Sequence, residues 1–324
     1  MARPEYTEAG GRRFKVPHPD KEMYPGEGIT AADVLDHYRT VAPMMLPHLA
    51  GRPLTLLRHP DGIGAEGFFQ RHAMDYFPEW VRTVTLPKRD GTPAKSVVCD
   101  DEATLVYLAA HSAIEFHIRP STVEAIDFPD RLVVDIDPPG DGTDGAPAAA
   151  LRDVARRVRD LLAELGFTPF LQTTGGRGFH VVAPLDRSED FRFVRDLAGD
   201  LAAHLARADP DLLTVQHRIE KRAGRIFLDV NRNGRAQTFA APYTLRARPG
   251  AGVAVPLDWS ELGRAVPGGH TIRTIRRRLA RKADPWADMD DHAAPAGPAR
   301  ERLDEMIGPR RAARSAAKRR RLTR

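Results

Sequence analysis

The stretch LVVDIDPPG, residues 132–140, decides how this chain is read. Asp135 and Asp137 stand one residue apart in an otherwise apolar run that closes with Pro138, Pro139 and Gly140. An ionised carboxylate buried without a partner costs several kcal/mol, so packing alone gives no reason to place two of them here. Side chains alternate along a strand, which puts Asp135 and Asp137 on one face, about 6 to 7 Å apart along the axis, and Val134 and Ile136 on the other. Such a pair suits a divalent-metal clamp, a glycosidase acid/base pair or a calcium loop. An EF-hand loop begun at Asp135 needs an oxygen ligand at its fifth position and Glu at its twelfth. Pro139 and Ala146 stand there, so the calcium loop is excluded. A glycosidase pair, usually drawn from separate strands, stays open as a minor alternative. So does a plain strand-end turn, with Asp137 capping Pro138 and Pro139 and Asp135 paired with an arginine.

A second apolar strand strengthens the metal reading. RIFLDVN, residues 225–231, carries Asp229 between Leu228 and Val230, which face the other way. Three carboxylates on adjacent strands of one sheet could hold two Mg²⁺ or Mn²⁺ ions against nucleotide phosphates, because hard oxygen ligands suit those cations. Between the acidic strands lies TTGGRGFH, residues 173–180. It matches neither the P-loop, which needs Lys followed by Ser or Thr, nor G-x-G-x-x-G. Its glycines would still let backbone N–H groups approach a phosphate, with Thr174 and Arg177 adding a hydroxyl and a charge and His180 entering the next strand.

Around these motifs the texture is α/β. ITAADVLDHYRTVAPMMLPHLAG predicts a helix opened by Thr30 and Asp33, which Pro43 and Pro47 should kink or divide. RPLTLLRHP reads as a strand, and DDEATLVYLAAHSAIEFHI reads as one helix capped by Asp100 or Asp101. After RLVVDID comes the helix APAAALRDVARRVRDLLAELG, closed by Gly166, and then TPFLQTT and FHVVAPL as a hairpin. SEDFRFVRDLAGDLAAHLARA predicts a further helix, and TIRTIRRRLARKA a basic one; residues 284–324 read as peripheral or partly disordered.

With 324 residues, 42% of them hydrophobic, the chain can bury one large core or two ordinary ones. The net charge is +5, and the basic excess collects in the C-terminal RRAARSAAKRRRLTR, a pattern that suits a polyanionic partner. A lone cysteine, Cys99, supplies neither an intrachain disulfide nor a Cys-rich zinc site. No h-region and no apolar run of membrane-spanning length is present, so a bacterial cytoplasmic protein, associated with the nucleoid, is expected.

Taken in order, VVDIDPP, TTGGRGFH and FLDVN resemble the three catalytic motifs of the archaeo-eukaryotic primase superfamily. More closely, the chain resembles the polymerase domain of bacterial DNA ligase D, which serves nonhomologous end joining. The supporting residues span most of positions 15–260: DKEMYPGEGIT, LAGRPLTLLRHPDG, FFQRHA, IEFHI, EKRAGRIFLDVNRN and APYTLRARPGAGVAVPL.

That resemblance implies an α/β (α+β) fold of the primase-superfamily polymerase type, a mixed central sheet flanked by helices. It implies a polymerase domain over residues 1–270, with a DNA-end-binding part (1–125) and a catalytic part (126–270), followed by a basic helix and tail (271–324). The implied activity is two-metal nucleotidyl transfer onto a 3′ end at gaps and double-strand breaks, with a preference for ribonucleotides. By the same resemblance Asp135, Asp137 and Asp229 bind Mn²⁺ or Mg²⁺, with Asp229 assisting deprotonation of the primer hydroxyl. His117, Thr174, Gly176, Arg177, His180, Lys221 and Arg246 would contact the incoming NTP or dNTP. Lys21 would hold the 5′-phosphate of gapped or broken DNA, and Phe68, Phe69 and Arg71 the DNA bases and backbone at the break, aromatic stacking being indifferent to sequence.

The chain departs from the family pattern where Thr174, Gly176 and Arg177 replace a more usual serine and lysine. A second basic residue after the YP pair is missing from GEGITAAD, and no zinc motif is present. No ligase or nuclease motif accompanies the polymerase motifs, so a stand-alone polymerase working with Ku and a separate ATP-dependent DNA ligase is expected. Two other readings are a primase that starts chains de novo and a non-catalytic DNA-end-binding module.

Overall fold

The computed structural model describes residues 5–88, 91–140 and 148–308. The basic stretch at 310–324 and the first residues of the helix expected from 146 lie outside the described residues. Two small antiparallel ribbons open the chain, β1 (Tyr6–Ala9) with β2 (Arg12–Lys15) and β3 (Glu22–Tyr24) with β4 (Ile29–Thr30), ahead of α1 (Ala31–Leu49). Then come β5 (Leu54–Arg58), β6 (Phe68–Gln70), the hairpin of β7 (Thr83–Pro87) and β8 (Pro93–Val97), α2 (Glu102–Ala110) and β9 (Ala113–Ile118). β10 (Arg131–Asp137), α3 (Ala148–Glu164), β11 (Phe170–Thr173), β12 (Phe179–Pro184), α4 (Phe191–Ala208), β13 (Leu213–Thr214) and β14 (Ile226–Asp229) follow. The remaining elements are β15 (Phe239–Ala240), β16 (Val255–Leu257), α5 (Ile275–Leu279) and α6 (Ala296–Ile307).

The strands assemble into a six-stranded mixed sheet, ordered β13-β14-β10-β12-β11-β16, and a four-stranded sheet, ordered β15-β9-β5-β6. β13 and β14 run parallel, while the other pairings in the larger sheet are antiparallel. β10 sits near the middle of the sheet and is covered on both faces, with only Asp137 at its end left half-buried. α3 and α4 pack against it, and Val134 and Ile136 are fully buried. The opposite set of side chains is turned toward the smaller sheet, whose Phe239 meets His180 edge-on with ring centroids 5.8 Å apart. The mixed central sheet flanked by helices is therefore as expected.

Local chemistry sets the boundaries. Thr30 Oγ1 accepts from Asp33 N at 3.3 Å while Asp33 Oδ2 accepts from Thr30 N at 2.8 Å, a capping box that starts α1. The helix is not divided: it runs through Pro43 and Pro47 while burying Val34, Tyr38, Val41, Met45 and Leu49 on its apolar face. Tertiary packing along that stripe outweighs the two backbone bonds the prolines remove. α3 ends as the sequence requires, with Phe167 N bonding Leu162 O at 3.0 Å and Gly166 at φ +95° between them.

Two segments differ from the sequence reading. DDEATLVYLAAHSAIEFHI is a helix and then a strand: α2 stops at Ala110, Ser112 reverses the chain at φ +65°, and β9 follows. A continuous apolar run does not distinguish the two states, and the alternation that makes AIEFHI a strand is too short to stand out. The basic helix expected over 271–283 contracts to α5, and residues 284–308, expected to be peripheral, are packed. Trp286 is buried with its indole N–H on Leu171 O at 3.0 Å, and α6 lays Ala296, Ala299, Leu303 and Ile307 against the core, beside α4. Among the described residues no helix is long and apolar enough to cross a membrane.

Candidate active site

Strand register builds the centre of the site. Asp135 lies opposite Asp229 on one neighbour and opposite His180 on the other, and His180 lies opposite Gln172 on the next strand. Directly opposed residues of an antiparallel pair share a face, so Asp229, Asp135, His180 and Gln172 form one transverse row across four strands. All four are buried; Asp137, two residues along β10, is half-buried. One oxygen from each of Asp135, Asp137 and Asp229 falls within 4.8 Å of the others.

An imidazole and a guanidinium stand against the carboxylates. His180 Nε2 is 3.5 Å from Asp135 Oδ1, Arg232 Nε is 3.4 Å from Asp135 Oδ2, and Arg232 Nη2 is 3.6 Å from Asp229 Oδ2. Burial works against ionisation of Asp135, but His180, Arg232 and Arg246 hold its carboxyl below the usual range. Asp137 moves the other way, pushed up to about 7 by burial and then by the charges of Asp135 and Asp229. Asp229 is oriented by Asn231, whose backbone N–H and side-chain amide both donate to Asp229 Oδ1, at 2.9 and 2.8 Å. His217 Nδ1 lies 2.9 Å from the same amide. In the same short turn Asn233 accepts from Val133 N at 2.8 Å and donates to Val133 O at 2.7 Å, so its side chain continues the ladder between the acidic strands.

A second, linked set stands on β9 and the segment after β15. Glu115 Oε1 accepts from Ala247 N at 2.8 Å, while its Oε2 lies 2.8 Å from His117 Nε2 and 3.1 Å from Arg246 Nε. Burial would raise the Glu115 carboxyl, yet these partners hold it at about 2. Burial lowers His117, so the ring is neutral at pH 7 and donates from Nε2 to Glu115. Arg246 Nη1 also donates to Thr174 O at 2.7 Å, which ties this set to the glycine turn. Arg248, not singled out in the sequence, is lowered by burial and then by repulsion from Arg246 and Arg177, so three guanidiniums converge here.

The turn itself depends on glycine. Gly175 sits at φ +68° and a Cβ there would meet Ala254 N at 2.6 Å; a Cβ on Gly178 would lie 2.2 Å from Ile136 O. Thr174 Oγ1 accepts from Gly176 N at 3.3 Å and Gly178 N at 3.2 Å, so the Thr174 hydroxyl and the Gly176 N–H, expected at the nucleotide, are used inside the turn. Arg177 Nη2 donates to Gly140 O at 3.0 Å. Arg177 Nη1 and His180 Nδ1 are buried without a hydrogen-bond partner, while Asp135 Oδ1, Arg232 Nε and Arg246 Nε face the charged groups named above without hydrogen-bond geometry. Buried polar atoms are normally satisfied, so this concentration around one cluster marks a place shaped for a polar ligand. Carboxylate oxygens faced by guanidiniums and imidazoles fit divalent cations carrying a polyphosphate.

The family model described as LigD, primase-polymerase domain, matches residues 30–286. This chain belongs to the LigD primase-polymerase domain family. As a member it is a nucleotidyltransferase of the polymerase type. The multifunctional non-homologous end joining DNA repair protein LigD of Mycobacterium tuberculosis is 35% identical over 293 residues, 88% of this chain and 38% of that protein. The Pseudomonas aeruginosa LigD protein is 33% identical over 278 residues, 85% of this chain and 32% of that protein. The chain thus spans less than two fifths of the length of these relatives. Among solved structures, the polymerase domain from Mycobacterium tuberculosis ligase D in complex with DNA superposes with a TM-score of 0.78 at 33% identity, covering 87% of this chain and 99% of that one.

Within the candidate site, the geometry brings together Asp135, Asp137, Asp229, His180, His117, Arg177 and Arg246. Lys221 stands apart, exposed in a short turn ahead of β14. Its neighbour Arg222 lies nearer the centre, stacked 4.0 Å over Phe227 and acting on the Asp137 charge. On β6, the edge strand of the smaller sheet, Phe68 and Phe69 are 45% and 53% exposed, so neither is a core residue. Arg58 lies over the Phe68 ring, Arg71 over the Phe69 ring, and Phe69 contacts His117 at 6.0 Å. Lys21 donates to Pro60 O at 2.7 Å and Asp61 Oδ1 at 2.6 Å. Glu115, Asn231, Arg232 and Arg248 were not found from the sequence. The VNRN run that follows Asp229 was the available signal for two of them, since a polar turn directly after an acidic strand end has its donors aimed back at that end.

Proposed function

We propose that this chain extends nucleic-acid 3′ ends at gaps and double-strand breaks during nonhomologous end joining. One observation carries the reading: Asp229, Asp135 and His180 oppose one another on three adjacent strands, with Asp137 completing a carboxylate group whose oxygens lie within 4.8 Å. Asp135, Asp137 and Asp229 would hold two Mg²⁺ or Mn²⁺ ions. When bound, such a pair acidifies the attacking hydroxyl and neutralises charge on the leaving pyrophosphate.

This chain's own residues do the rest. Asn231 holds Asp229 in one orientation, from which the carboxylate assists removal of the primer hydroxyl proton. His180, Arg177, Arg246 and Arg248 meet the triphosphate from the turn side; His117 meets it from β9, with Lys221 at the margin. Phe68 and Phe69 stack on bases, Arg71 takes backbone phosphate, and Lys21, pre-set by Asp61, takes the 5′-phosphate at the break. A relative 33% identical that was solved with DNA supports DNA as the substrate, and the LigD names support the end-joining role. Ku and an ATP-dependent ligase would be the partners, ribonucleotides the preferred substrates, and the bacterial cytoplasm at the nucleoid the place of action.

The test is primer extension on a gapped duplex with and without a 5′-phosphate, comparing rNTP with dNTP and Mn²⁺ with Mg²⁺. Incorporation that is stronger with rNTP and with the 5′-phosphate is expected. Failure to incorporate under every combination would sink the reading.

A further inference from the structure

The basic run TIRTIRRRLARK, residues 271–282, belongs to neither the carboxylate row nor the set around Glu115. Most of its cations are taken up inside the protein. Arg273 donates to Glu27 O; Arg276 pairs with Asp36 and reaches Thr40 Oγ1 at 3.1 Å. Arg278 makes a two-pronged pair with Glu261, at 2.6 and 3.0 Å, and Lys282 bridges Asp258 and Glu261. Arg277 and Arg281 are left. Both are exposed, and neither has a side-chain partner among the described residues; Arg277 stands on α5 and Arg281 in the turn just after it. Together with Gly269, His270 and Thr274 they line a cleft of about 430 Å³.

The cleft is fixed to the edges of the site already described. A Cβ on Gly268 would sit 3.0 Å from Gly176 O, so the loop leading into the cleft rests on the glycine turn. His270 O accepts from Val253 N at 2.8 Å, and Arg273 anchors the far side to the loop that follows Lys21. We infer that the cleft lined by Arg277 and Arg281 is a phosphodiester-binding site that grips the sugar-phosphate backbone of the nucleic acid engaged at the carboxylates. The inference rests on the proposed DNA-end reading. Arg278 and Lys282, both ion-paired, complete the lining of the cleft, and the two unpaired arginines supply charge without base selectivity.

The test uses fluorescence anisotropy on the 5′-phosphorylated gapped duplex over a salt series, with the wild-type chain and the doubles R277E/R281E and R277A/R281A. Because both side chains are exposed, melting temperatures should match the wild type. Two phosphate contacts at ~0.9 each predict that the slope of log Kd against log salt falls by ~1.8 in the alanine double. The glutamate double should weaken binding further, with kcat at saturating duplex retained. Unchanged affinity and slope in both doubles, with wild-type binding intact, would overturn this inference alone. A wild-type chain that fails to bind the duplex would overturn the parent reading and this one with it. A third arm titrates inorganic triphosphate as competitor. Loss of its inhibition in the doubles without loss of duplex affinity would show a free-phosphate site and also overturn the proposal.

Discussion

At the scale of single residues, the turn after Asp229 does more than end a strand. Asn231 supplies both hydrogen bonds that orient Asp229 Oδ1, and only the side-chain one depends on residue type. Asn231→Ala therefore removes one bond to a charged acceptor, worth about 1.5 kcal/mol, and should lower kcat about tenfold. DNA affinity should stay within twofold, measured by anisotropy beside single-turnover extension; an equal loss in both would assign Asn231 to folding. Asp135, Asp137 and Asp229 were legible in the sequence because acids in apolar strands need a reason. Asn231 and Arg232 were not, because a polar residue just past a strand end has many ordinary uses, and Glu115 was not because its strand was read as part of the helix before it. Thr174, expected at a phosphate, has its hydroxyl oxygen engaged by two N–H groups of the tight turn, a contact the sequence did not reveal.

At the scale of elements, β6 and α1 carry the clearest tests. β6 presents Phe69 at a sheet edge, 53% exposed and in contact with His117. Phe69→Ala should weaken binding to gapped duplex by about 1 to 3 kcal/mol, the range for stacking one base on an aromatic. The urea midpoint should hardly change; unchanged duplex binding would show that Phe69 does not stack on a base. In α1, His37 is fully buried with Nε2 at 3.0 Å from Tyr243 O, and burial lowers it from 6.5 to about 4. The unfolded chain takes up a proton near 6.5 while the folded chain resists down to about 4, so stability is lost as pH falls through that window. Between pH 7 and pH 5 this group should remove about 2 kcal/mol of unfolding free energy, a loss that His37→Gln should shrink in urea titrations. Element types were mostly legible where periodicity was long. α2 and β9 were merged because an apolar run joins them, and the division at Ser112 is a backbone event the composition hides.

At the scale of the whole molecule, the two sheets form one site because they are joined through buried charge. Arg52, just after α1, makes two 2.8 Å bonds to Asp130, just before β10, with Arg187 at 3.3 Å. Burial alone would raise Asp130, but Arg52 and Arg131 hold it below the usual carboxylate range. Arg52→Ala leaves that carboxylate short of its main partner and should cost about 3 kcal/mol, read as a lower urea midpoint. The ordered motifs made the fold class and the family legible, since strand alternation and a glycine turn determine which side chains meet. The packed segment 284–308 was not legible, because its apolar positions are spaced one per helical turn among prolines and charges.

The most direct measurement compares wild type with Asp135→Asn and Asp137→Asn on the 5′-phosphorylated gapped duplex, following extension and binding in the same samples. The account predicts that both variants lose extension by at least about a thousandfold, through loss of electrostatic support to the transferring phosphate, while duplex affinity stays within a few-fold. Extension that survives in both variants would contradict it, and would leave the acidic row a structural feature of a DNA-binding module.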